Sequence, residues 1–123
     1  MSRPPRVLIV AGSDSGGGAG IQADIKTLSA MRAYAMTAVT AITVQNTLGV
    51  TDVHPIPPAV VAAQMRACLD DIGADAIKLG MLHSAALIEA VAGVLADYPD
   101  IPVVADPVMV AKGGAALLQS EAV

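Results

Sequence analysis

The chain has no tryptophan and no phenylalanine, and tyrosine is its only aromatic, twice. Packing must therefore rest on Ala, Val, Ile, Leu and Met, and the aromatic faces on which single-stranded nucleic acid stacks are missing. It has one cysteine, Cys68, so no disulfide can form within the chain and a reducing cytoplasm fits. It has no cluster of basic residues; the net charge is −4, which argues against nucleic acid as a partner. No apolar run approaches the roughly 20 residues that cross a bilayer, so no membrane role is expected. Residues Met1 to Arg6 are polar and Val7 to Ala11 is too short for the apolar part of a signal peptide. What remains is 123 residues, 54% hydrophobic and 15% charged, enough for one modest domain and too apolar for disorder.

The pattern alternates. Val7 to Ala11 reads as a buried strand, followed by a glycine-dense turn, Gly12 to Gly20, and an amphipathic helix to about Arg32. Such a strand, turn and helix can bring backbone N–H groups and a helix N-terminus to a ligand. The helix stripe of Ile21, Ile25, Leu28 and Met31 also carries Asp24. A carboxylate on a core-facing stripe is costly unless it is paired. Two readings stay open for it: an acid in the first turn held by the helix dipole, or an acid in a pocket awaiting a hydroxyl or a cation. Ala35 to Val44 is rich in β-branched residues and apolar on both faces, as in a central strand of a covered sheet. Val50 to Pro55 is a short extended piece at an edge or strand end. Pro57 and Pro58 open a helix to about Ile72, with Val61, Met65, Cys68 and Ile72 on one stripe, so Cys68 reads as a core residue. Ala76 to Leu79 is a further strand. A helix capped by Ser84 follows, to about Tyr98, and then a strand from Pro102 to Ala105. Strands alternating with helices predict a three-layer α/β/α fold with a mostly parallel sheet.

In such a fold the ligand crevice lies outside the carboxyl ends of the strands. The residues there are Gly12 to Gly20, Val44 to Asn46, Gly80 to His83, and Asp106 to Met109. Gln45 donates and accepts together, which suits a heteroaromatic ring bearing an amine. Met81 and Met109 can pack on a flat ring. Asp106 either holds Mg2+ through water or shapes the Asp-Pro turn. Lys78 reads as a snorkelling or sheet-end lysine, with a phosphate contact the lesser reading; Lys112, beside two glycines, is the better phosphate candidate. His54 and His83 lack partners at metal-ligand spacing and read as surface or turn residues. No P-loop motif occurs. Gly18, Gly20 and Ala23 match G-x-G-x-x-A, but no acid lies between Asp24 and Asp52 to hold a ribose, so dinucleotide binding ranks low.

Four segments in register, AGSDSGGGAGIQADIKT (11 to 27), TAITVQNTLGV (40 to 50), IKLGML (77 to 82) and DPVMVAKGG (106 to 114), resemble the hydroxymethylpyrimidine and phosphomethylpyrimidine kinases of thiamine biosynthesis, in the ribokinase-like superfamily. The resemblance implies an ATP-dependent kinase using Mg2+, acting on a hydroxymethyl pyrimidine and its monophosphate. It implies that Gln45 bonds the aminopyrimidine edge with backbone near Val44 helping, and that Asp24 faces the substrate hydroxymethyl group. Gly12, Met81 and Val108 match positions lining the pyrimidine, and the glycine turn covers that substrate rather than the ATP phosphates. Asp106 and Lys112 fall toward the phosphate-transfer side.

By the same resemblance, family members are roughly double this length. Their second half carries the Gly-Thr-Gly-Cys anion hole, the catalytic residue and most of the ATP site. No catalytic residue is therefore expected in this chain. Residues 1–123 are expected to be the truncated N-terminal part of a single ribokinase-like domain, inactive alone and dimeric as a homodimer when full-length. A pyridoxine or pyridoxal kinase of the same superfamily and a non-catalytic small-molecule-binding fragment are the alternatives.

Overall fold

The computed structural model describes residues 3–106. The elements run β1 (Arg6–Asp14), α1 (Gly20–Ala30), β2 (Tyr34–Asn46), β3 (Gly49–Pro55), α2 (Pro58–Asp71), β4 (Ala76–Leu79), α3 (Ala85–Ala96) and β5 (Val103–Ala105). They form one five-stranded sheet in the order β3-β2-β1-β4-β5. β1, β2, β4 and β5 are parallel, and β3 is an antiparallel edge strand returning from β2 through a tight hairpin. The chain steps from β1 to β2 on one side and later to β4 on the other. β1 is thus the central strand beside which the crossovers change direction, the place where α/β sheets open a crevice.

The helices lie on both faces of the sheet. Leu8 and Val10 of β1, Met36 and Ala38 of β2 and Ile77 of β4 share a buried cluster with Val61, Met65 and Leu69 of α2 and Leu87, Val91 and Val94 of α3. Strand side chains alternate, so Ile9 and Lys78 face the other way, toward α1. The two outer layers differ in closure: α1 has no buried residue, and Ile25 and Met31 are exposed. The expected stripe on α2 also shifts. Its buried residues are Val61, Met65 and Leu69; Ile72 is exposed and Cys68 is partly buried against the cluster. Residues 61, 65 and 69 form an i, i+4, i+8 row, and Ile72 falls at the fraying C-cap.

Polar side chains finish the frame. The Gln64 amide of α2 accepts from Val39 N and donates to Val39 O, both at 3.0 Å, as another strand would. Arg6 donates from Nε and Nη2 to Asp75 at 3.2 and 3.0 Å, and from Nη1 to the Ile72 carbonyl at 2.5 Å, tying the start of β1 to the end of α2. Ser84 caps α3 by accepting from Leu87 N at 3.1 Å.

Candidate active-site cleft

The carboxyl ends of β1, β2, β4 and β5 surround a cleft of about 460 Å3. That is a size suited to a small molecule. Gly12, Asp24, Gln45, Met81 and Asp106 all line it. Residues from four separate stretches of chain are thus brought together at one place. Val44 is the exception: its side chain is 55% exposed and does not line the cleft. Alternation turns Thr43 and Gln45 inward and Val44 outward, and the Val44 carbonyl accepts from Thr51 of β3 at 3.1 Å. Val108, Met109 and Lys112 lie outside the described residues.

The glycine turn does not do what its composition predicts. β1 runs on to Asp14, a buried acid only 5% exposed. Asp14 Oδ1 accepts from Gly16 N at 2.8 Å, and Oδ2 accepts from Gly18 N at 3.0 Å and Ala19 N at 2.8 Å. Gly17 N donates to the Asp14 carbonyl at 3.0 Å. Four consecutive backbone donors are therefore spent on one residue of the same chain. They are not available as a cradle for a phosphate, which leaves the turn as a wall of the cleft. Gly20 closes it against β1 with φ of 58°. A Cβ there would stand 2.3 Å from the Gly12 carbonyl oxygen, so only glycine fits.

The floor is held from below. Thr40 Oγ1 donates to the Met81 carbonyl at 3.3 Å, fixing the turn after β4 against β2. Met81 is 8% exposed, and its Sδ-methyl would lie 3.3 Å from a Cβ at position 12, so Gly12 leaves room for it. Gln45 is set by two partners. Its backbone N donates to Ser15 Oγ at 2.8 Å while Ser15 Oγ donates back to its carbonyl at 2.5 Å, and its side-chain amide lies 3.1 Å from Thr43 Oγ1, whose own hydrogen goes to the Ser13 carbonyl at 2.7 Å. Gln45 lines the cleft, where the remaining donor and acceptor capacity of its amide faces a ligand.

Asp24 is the inward acid that its helical position predicts, but it lies beyond the first turn of α1, where no acid occurs. The dipole-capped reading therefore fails. Its partner is a cation: Lys78 Nζ of β4 donates to Asp24 Oδ1 at 2.5 Å. Neither a snorkelling lysine nor a sheet-end lysine describes Lys78, which pairs with Ile9 on one side and Val104 on the other. The residues that sequence reasoning missed are Asp14, Thr43 and the Lys78 pairing. For Asp14 the signal was an acid at the strand end before three glycines.

His83, expected as a surface or turn residue, lies in the turn between β4 and α3 but is buried, and its Nδ1 has no partner among the described residues. Burial holds its pKa below the ordinary 6.5. Among the described residues no three His, Cys, Asp or Glu side chains gather to hold a metal ion. Nor is any helix there long and apolar enough to cross a membrane.

The family model described as phosphomethylpyrimidine kinase matches residues 14–123. A hydroxymethylpyrimidine/phosphomethylpyrimidine kinase of Haemophilus influenzae is 54% identical over 123 residues, all of this chain and 46% of that protein. The crystal structure of phosphomethylpyrimidine kinase from Clostridium difficile superposes with a TM-score of 0.88 at 45% identity, covering 96% of this chain and 51% of that one. A pyridoxal kinase from Staphylococcus aureus in complex with pyridoxal gives 0.81 at 41% identity, covering 91% and 42%. That kinase is also solved with AMP-PCP and pyridoxal together. The chain spans about half the length of the curated relatives it matches.

Proposed function

From the premise that the chain belongs to the phosphomethylpyrimidine kinase family, we propose that residues 1–123 are the N-terminal part of a single ribokinase-like domain. This part binds the phosphoryl acceptor, a pyrimidine with a hydroxymethyl arm or its monophosphate, in an ATP-dependent kinase of thiamine biosynthesis. The observation that carries the reading is that Asp24, Gln45 and Met81 line one cleft at the carboxyl ends of the strands.

Each residue has a role its chemistry suits. The Gln45 amide bonds the polar edge of the ring. Met81 packs on its face above Gly12, with backbone near Val44 assisting. Asp24 accepts the hydrogen bond of the hydroxymethyl group and so orients the nucleophilic oxygen. Asp106 stands past the end of β5, on the phosphate-transfer side, where Lys112 is assigned by resemblance alone; Val108 is assigned to the pyrimidine lining, also by resemblance alone. ATP supplies the transferred phosphoryl group when bound. The glycine turn does not suit its phosphates, since its N–H groups already bond Asp14, so the nucleotide is assigned outside the described residues. Mg2+ is expected with the nucleotide, where a single carboxylate such as Asp106 at the cleft could reach it through water. A single thiol fits a cytoplasmic enzyme, and a homodimer is proposed for the full-length protein.

Titration calorimetry with hydroxymethylpyrimidine tests the reading. Gln45→Ala should weaken binding by about 1–3 kcal/mol, because ring donors and acceptors are left unpaired in the cleft. An unchanged dissociation constant removes the role of Gln45, and absence of pyrimidine binding by the parent chain removes the function. The likeness to a pyridoxal kinase favours a second reading, in which the ring is a pyridine; pyridoxal binding more tightly than the pyrimidine would select it.

A further inference from the structure

Among the described residues four charged side chains line the cleft: Asp14, Asp24, Asp106 and Lys78. Asp14 is already engaged by three backbone N–H groups. Lys78 is thus the one cation in the cleft among the described residues, and its charge is held by Asp24. The pair is not sealed away. The side chains are 28% and 18% exposed, and both residues line a second groove of about 380 Å3 beneath α1 as well. As a device for fastening α1 to the sheet an ion pair is a poor choice, since apolar residues of similar volume often hold as well or better. α1 buries no residue fully, so the carboxylate and the ammonium stay within reach of the cleft.

The position of the pair suggests another use. A hydroxymethyl arm is neutral, whereas a phosphomethyl arm carries between one and two negative charges near pH 7. Asp24 alone would welcome the first and repel the second. Lysine is a compact charge on a flexible stem with three donors, able to leave one anion for another a few ångströms away. We infer that Lys78 is the residue that lets this cleft accept both arms. With the alcohol bound, Lys78 stays on Asp24 Oδ1 and the hydroxyl donates to the second carboxylate oxygen. With the monophosphate bound, Lys78 turns from Asp24 to the phosphate oxygens and cancels the repulsion. This inference rests on the pyrimidine reading of the cleft.

The test compares dissociation constants of hydroxymethylpyrimidine and its monophosphate on the parent chain, K78Q, K78R and D24N, with circular dichroism to verify folding. K78Q should shift the ratio of the two constants against the monophosphate by about 10- to 100-fold, the worth of a charge-assisted hydrogen bond. K78R should restore most of it by keeping the charge. D24N should move the ratio the opposite way, because the alcohol loses its acceptor while Lys78 is freed for phosphate. Monophosphate binding to the parent chain should weaken with added salt more steeply than alcohol binding.

Equal losses for both ligands in a folded K78Q, or no loss, overturn the inference and leave the pyrimidine reading intact. A parent chain that binds the alcohol and not the monophosphate does the same. A parent chain that binds neither overturns both. If K78Q does not fold, the D24N ratio decides: a shift toward the monophosphate supports Lys78, and an unmoved ratio overturns it.

Discussion

Among single residues, Asp14 carries the most structure for its size. One buried carboxylate fixes three backbone donors and so sets the path from β1 into α1. Truncation would strand those donors beside the cleft. Asp14→Ala should lower the unfolding free energy by about 3 kcal/mol, measured as a fall in the urea midpoint with little change in slope. Asp14→Asn, which keeps one acceptor oxygen, should lose less. Equal stability of Asp14→Ala and the parent would mean that water replaces the carboxylate at no cost. This residue also shows where sequence reading runs out. In the run SDSGGG an acid at the strand end before the glycines is the one local hint, and it does not say that the carboxylate faces back toward its own turn. Asp24 was legible because helical periodicity places it inward. Lys78 was not, because its partner lies 54 positions away and only the sheet brings them together.

At the level of elements, two glycines make opposite predictions. Gly20 begins α1 with φ of 58° and with the Gly12 carbonyl where a Cβ would be. Gly20→Ala must move backbone against backbone, and should cost more than about 2 kcal/mol and disrupt the cleft wall. Gly93 lies inside α3 with nothing within 4 Å of a built Cβ. Gly93→Ala should raise stability by about 1 kcal/mol, since alanine loses less backbone entropy in a helix. Thermal unfolding of the pair reads both signs; a neutral Gly20→Ala would show that the turn relaxes freely. The order and type of the elements were readable from such local signals: the Pro57–Pro58 start, the Ser84 cap and the short apolar runs. The buried stripe of α2 was not fully readable. Cys68 and Leu69 are adjacent and equally apolar, and the choice between them depends on how the helix is rolled against β2.

At the scale of the whole molecule, two charge devices among the described residues mark the acid side of the pH dependence; both lie outside the cleft and they act in separate windows. Burial without a partner for Nδ1 holds the His83 pKa below 6.5. The folded chain therefore refuses a proton that the unfolded chain accepts, and stability falls as the pH drops below about 6.5. The Arg6 guanidinium, hydrogen-bonded to Asp75, holds that carboxyl at about 2 instead of the usual 3.8. Here the folded chain keeps the charged form. The stabilisation is complete above 3.8 and is lost as the pH falls toward about 2. Because Arg6 joins the start of β1 to the loop after α2, losing this pair loosens the central strand, while His83 acts on the turn between β4 and α3. Acid unfolding followed by circular dichroism should accordingly show two sloping regions. His83→Asn should flatten the upper one and leave the lower, and Asp75→Asn should flatten the lower and leave the upper. A single slope that neither substitution alters would assign acid sensitivity to the remaining carboxylates and away from both devices.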